Sequence, residues 1–271
     1  MEHLEKELQR LLATLPSEKE VLDRLQNLVS VYPFNEYEYL ISTLLAMDVL
    51  NLDDYYQLRD EYVSRNLYLY IFEISSPRGF GEAWAQGHLK ELVPEIEKPS
   101  RKIDKDYAGQ YDFLLDDRIR MEVKASRAVD ADVDKPLYVK ALVSDSTKPF
   151  WMNFQQIKPQ CCDVFVWVAV WRDVIRYWVL SSDELEGNRH YSRGQHRGNV
   201  GEGQLHVRQD NIADFSEYEV KPNQLAQAIR KAYGRQISKD LGNQGMHPAA
   251  ARDAAPGDAP IVRLPPQCPR V

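Results

Sequence analysis

The run Asp163–Trp171, DVFVWVAVW, is the most apolar stretch of this 271-residue chain. It is short, β-branched and aromatic, with no polar residue between its ends, as in a strand buried on both faces. Such a strand cannot sit at a surface, so the chain must build layers above and below it. Arg172-Asp173 turns the run, and Val174–Leu180, VIRYWVL, answers as the next strand.

A second pair of strands precedes it in Tyr111–Lys124, YDFLLDDRIRMEVK, where Asp116-Asp117-Arg118 separates two β-prone runs. Ile119, Met121 and Val123 alternate with Arg118, Arg120, Glu122 and Lys124, so Glu122 and Lys124 share a face. A three-residue loop pairs Leu115 with Ile119 and sets Asp112 across from Glu122. A two-residue loop turns Asp112 to the opposite face. The first register gathers two carboxylates and an ammonium. Close carboxylates repel unless a cation lies between them, and Mg²⁺ typically takes one or two carboxylates and keeps its waters. A lysine beside such a pair suits hydrolysis of a phosphodiester. The structural alternative for Glu122 and Lys124 is a cross-strand ion pair on a solvated face.

These residues resemble the motif of the PD-(D/E)XK nuclease superfamily, and within it the type II restriction endonucleases. Asp112 matches the motif's Asp and Glu122-Val123-Lys124 its (D/E)-x-K; Tyr111 stands where the motif has Pro. The resemblance spans roughly Gly79 to Val220. It implies an α/β (α+β mixed) fold, with a restriction-endonuclease-like core of a mixed β-sheet flanked by helices. It implies Mg²⁺ or Mn²⁺ held by Asp112, Glu122 and the Val123 carbonyl, with Lys124 positioning the attacking water. Glu82, in GFGEAWAQGHL, stands where many members carry a further glutamate; its alternative is a carboxylate stabilised by a helix N-terminus. The implied partner is double-stranded DNA, and the implied assembly a homodimer, because both strands of a duplex must be cut. The alternatives are a structure-specific repair or junction-resolving nuclease, or a non-catalytic DNA-binding module. A second acidic-x-Lys triplet, Glu219-Val220-Lys221, has no hairpin before it and runs into Pro222, so it reads as the end of a strand.

The net charge of −7 opposes nucleic-acid binding at first sight. Its distribution softens that: residues 1–100 carry 9 Lys and Arg against 18 Asp and Glu, whereas residues 101–236 carry 21 against 20. The three cysteines, two of them adjacent, lack CxxC spacing and read as reduced thiols of a cytoplasmic protein. No run approaches the roughly 20 apolar residues of a membrane span, and the charged, helical start reads as no secretory signal.

Residues 1–75 read as a helical subdomain, either a dimerisation or DNA-facing arm or a packing cap. Helices are expected at Leu4–Leu15, from Ser17, from Asn35 to about Leu50, and from Asp53 or Asp54 onward; LYLYIFEI at 67–74 fits a helix or a strand. Pro77–Gly81 reads as a turn before a helix from Glu82 to Leu92. Residues 76–236 read as the nuclease core. Within it Met152–Lys158 is expected to form a short helix presenting Gln155 and Gln156, whose amides can read adenine or simply be solvated. Gly187–Gly203 reads as a loop whose Arg189, His190, Arg193, His196 and Arg197 contact DNA or are solvated. Strands are expected at Gln204–Val207 and Phe215–Val220, a final helix at Pro222–Tyr233, and a disordered tail over 237–271.

Overall fold

The computed structural model describes residues 33–194 and 201–244, with Arg10, Ala13, Thr14 and Lys19; the first two expected helices lie outside these. Helix α1 spans Pro33–Ala46 and α2 spans Leu52–Ser64. Asn35 therefore lies inside α1 rather than capping it. The cap of α2 is Asn51, whose side chain accepts the Asp54 N–H while Asp54 accepts the Asn51 N–H. Leu40, Ile41, Leu44 and Leu50 form a small core of their own. Residues 67–74 are mostly a 3₁₀ turn, Leu69–Glu73, whose Leu69, Ile71 and Phe72 belong to the main core. The next helix starts earlier than expected: it is helical from Pro77, widens to a π-helical turn over Gly79–Ala85, and ends as α3, Gln86–Leu92.

Nine strands follow among the described residues: β1 Phe113–Leu115, β2 Ile119–Arg127, β3 Val129–Asp130, β4 Phe150–Ile157, β5 Val164–Val170, β6 Ile175–Ser181, then α4 Ser182–Glu186, β7 Tyr191–Arg193, β8 Gly203–Arg208 and β9 Glu219–Val220, with α5 at Leu225–Gln244. One sheet has the order β1-β2-β5-β6-β9; β2 and β5 run parallel and the other neighbours antiparallel. The second sheet, β3-β4-β8-β7, is antiparallel.

The mixed α/β class is as the sequence implies, but the layering differs. Every residue of β5 is buried. Val164, Val166, Val168 and Val170 pack with Leu89 and Ile229 of the helices; Phe165, Trp167 and Ala169 pack with Phe154 and Leu205 of the second sheet. The central sheet thus has helices on one face and a sheet on the other. The expected helix Met152–Lys158 is β4. Its alternation, with Met152, Phe154 and Ile157 buried and Trp151, Gln155 and Gln156 exposed, is the period of two that a strand needs, shifted by a bulge after Phe154. The expected strand Phe215–Val220 is chiefly a 3₁₀ turn, Ile212–Tyr218, with only β9 extended. The last helix continues to Gln244, past the point where the tail was expected to begin; residues 245–271 lie outside the described ones. Cys162 is a buried free thiol, whereas Cys161 is disulfide-bonded, against the expectation of three reduced thiols. No helix among the described residues is long and apolar enough to cross a membrane.

Candidate active site

The β1–β2 hairpin has the three-residue register: Leu115 pairs with Ile119 and Phe113 with Met121. Asp116 and Asp117 both adopt positive φ, 53° and 56°, which turns the chain sharply enough for it. Arg230 of α5 holds the turn through two 2.8 Å bonds to Asp116. One residue before β1, the Asp112 N–H donates to the Met121 carbonyl at 2.8 Å, so the ladder runs on and brings Asp112 to Glu122. At the far side Arg120 forks onto Asp163 at 2.6 and 3.1 Å and locks β2 to the start of β5.

Both Asp112 oxygens are held. Oδ2 accepts the Val123 N–H at 2.8 Å and Oδ1 accepts Nε2 of Gln86 at 2.6 Å. Gln86 is itself fixed, because its Oε1 accepts a bond from Nζ of Lys98, which lies over the Phe113 ring. Lys124 Nζ meets Glu122 Oε1 at 2.8 Å, with only 14 % and 18 % of the two side chains exposed. This is not the solvated surface pair that the sequence left open. Burial lifts Glu122 to about 7, against the pull of Lys124, and repulsion from Asp112 adds to the rise. Burial also raises Asp112, while the Val123 N–H, Lys124 and Lys98 oppose it. The Tyr107 hydroxyl is raised by burial and then by both carboxylates, so all three share one field.

The trio stands in a cleft of about 1930 Å³. Its lining includes Glu82 and Gln86 of the helix Pro77–Leu92, Asn153, Gln155 and Gln156 of β4, and Tyr107 and Tyr111. Gln156 holds a positive φ of 55° at the β4 bulge, so the two glutamines reach the cleft from a strand rather than a helix. Glu82 lines the same cleft but is exposed, 3.7 Å from Arg78; the side chain that touches Asp112 is Gln86, one helical turn on. Sequence reading missed Gln86, although its spacing of four from Glu82 puts it on the same helix face.

Arg189 and His190 are not brought to the cleft. Both donate to Asp214, the His190 bond being 2.7 Å, beside a separate pocket of about 350 Å³. Arg193 lies on β7, which pairs with β8. His196 and Arg197 lie outside the described residues. The cleft draws its positive charge instead from Arg101, Lys105, Arg120, Arg127 and Lys158, along with Lys124.

No protein-family model matches the chain, and no curated protein is significantly similar to it.

Among the described residues no group of three or more His, Cys, Asp and Glu side chains converges. A cation held here would take its donors from the Asp112 and Glu122 carboxylates, backbone and water, a set of the type Mg²⁺ accepts. The pair is desolvated and mutually repelling, so a divalent cation would relieve both costs.

Proposed function

We propose that the chain is a Mg²⁺-dependent endodeoxyribonuclease that hydrolyses phosphodiester bonds of double-stranded DNA. The observation that carries the reading is the meeting of Asp112, Glu122 and Lys124 in one buried corner of a large cleft.

In this reading Asp112, Glu122 and the Val123 carbonyl would hold Mg²⁺ or Mn²⁺, which would supply Lewis-acid polarisation of the phosphodiester and a more acidic water. Gln86 and the Val123 N–H fix the Asp112 carboxylate before substrate arrives, so little reorganisation is needed. Glu122 holds the Lys124 ammonium in place. Lys124 Nζ orients the attacking water and donates a hydrogen bond toward the charge that grows on the phosphate oxygens. Attack in line with the 3′ oxygen leaves products with 5′ phosphates. Gln155 and Gln156 line the same cleft, and in this reading their amides meet base edges. A homodimer cutting a palindromic site, as type II restriction enzymes do, is the economical arrangement for an enzyme that breaks both strands.

Incubation with phage DNA and Mg²⁺ tests this. The parent gives a fixed band pattern and Lys124→Ala gives none. Equal cutting by both refutes the mechanism. Cutting confined to branched DNA assigns the site to a repair or junction-resolving nuclease, and duplex binding without cleavage of any substrate assigns it to a binding module.

A further inference from the structure

The outer edge of β2 has a strand partner only at its start, where β1 pairs with Ile119–Met121; beyond that Asp112 takes the Val123 N–H. From Glu122 to Arg127 that edge has no strand partner among the described residues, and all six residues line the cleft. The catalytic trio occupies the first half of this open edge. Arg127 ends the second half.

Arg127 is unusual among the cleft's cations. Its Nη1 donates to the carbonyls of Ile71 and Ile74 at 3.1 and 2.8 Å, and its guanidinium lies 4.2 Å from the centre of the Phe80 ring. These contacts fix the plane of the guanidinium. They leave Nε and Nη2 with no acceptor among the described residues, and no carboxylate pairs with it there. Desolvation lowers its pKa to about 10, with no carboxylate among the described residues beside it to oppose the shift. Arg127 lines the cleft together with Ser75, Ser76 and Arg78.

We propose that Arg127 is a phosphate seat, whose free guanidinium edge takes a phosphodiester of the bound strand away from the one that is cut. The inference rests on reading the cleft as a nucleic-acid site. Arg127 lies three residues along β2 from Lys124, an axial rise of about 10 Å, and on the other face of the strand, with the open edge between them. A nucleic-acid strand advances about 3.4 Å per nucleotide, so the seated phosphate lies at least about three nucleotides from the scissile one. Arginine suits the position because its planar fork keeps Nε and Nη2 for an anion while Nη1 serves the two carbonyls, whereas a lysine would have to divide three donors on one nitrogen.

The experiment is duplex-DNA binding by the full chain in EDTA, where nothing is cut, measured against salt concentration. Loss of one phosphate contact reduces the slope of log affinity against log salt by about 0.9. Arg127→Gln is expected to show that loss; Arg176→Gln, whose side chain pairs with Glu219 outside the cleft, keeps the parent slope. A parent slope in folded Arg127→Gln overturns the seat. If that variant fails to fold by circular dichroism, Arg127→Lys decides: the slope stays because the charge stays, but affinity falls severalfold, and unchanged affinity overturns the seat. A reduced slope in a protein that never cuts DNA supports the seat and sinks the nuclease; normal cutting with an unchanged slope sinks only the seat.

Discussion

Replacing Glu122 by Gln is expected to make the metal-free protein more stable at alkaline pH. A glutamate raised from 4.5 to about 7 in the folded state binds more protons folded than unfolded between those values. Stability therefore falls as pH rises from about 4.5 to about 7 and stays low above that. Two and a half pH units correspond to a burden of about 3 kcal/mol on the ionised native state. Glutamine keeps the shape without the charge. It also removes the carboxylate 2.8 Å from the largely buried Lys124 ammonium, which costs about 1 kcal/mol. The net expectation at pH 8 to 9 is a gain of about 2 kcal/mol, vanishing or reversing near pH 5. Urea unfolding of both proteins in EDTA across that range measures it. Adding Mg²⁺ at about ten times its dissociation constant should stabilise the parent by about 1.4 kcal/mol at pH 8 and the variant much less. Parallel stability curves for parent and variant at all pH values would refute the account of Glu122 as a buried, repelled carboxylate.

Gln86→Leu removes the donor to Asp112 Oδ1 and should lower cleavage about 10- to 100-fold, with a matching rise in the Mg²⁺ needed; a Mg²⁺ titration reads both. Glu82→Gln, at the exposed rim, should stay within a few-fold of the parent in the same titration. Asp163→Asn breaks the fork from Arg120 that joins β2 to β5 and should cost about 2–3 kcal/mol in urea unfolding. Asp117→Gly relieves a non-glycine residue at φ 56° and should gain about 0.5–1 kcal/mol in the same assay.

The hairpin and its register were legible because side-chain alternation and turn length act locally: Leu115, Ile119, Asp112 and Glu122 constrain one another within a few residues. The all-buried β5 was legible for the same reason. What covers it was not. Residues 150–157 carry a bulge and a left-handed Gln156, which break the alternation and let FWMNFQQI pass for a helix. The second sheet depends on β4 pairing with β8, about fifty residues later, and no local pattern announces that. Gln86 was passed over because an amide reads as an ordinary helix residue until its partner is known. The basic loop looked like a DNA contact by composition, yet Arg189 and His190 are spent on Asp214, an attraction set by tertiary placement.

The parallel pairing of β2 with β5 bears on how the chain reaches this state. Between Arg127 and Val164 lie β3 and β4, so the two strands at the heart of the sheet meet only after a long excursion is closed. Closure entropy must be met before that pairing is rewarded, which slows folding. The β5–β6 and β1–β2 hairpins are local and can form early. The Arg120–Asp163 fork then joins them late, so mutations at that fork should accelerate unfolding more than they delay refolding. On this order, the cleft acquires its β4 lining only at the end, once β4 finds β8.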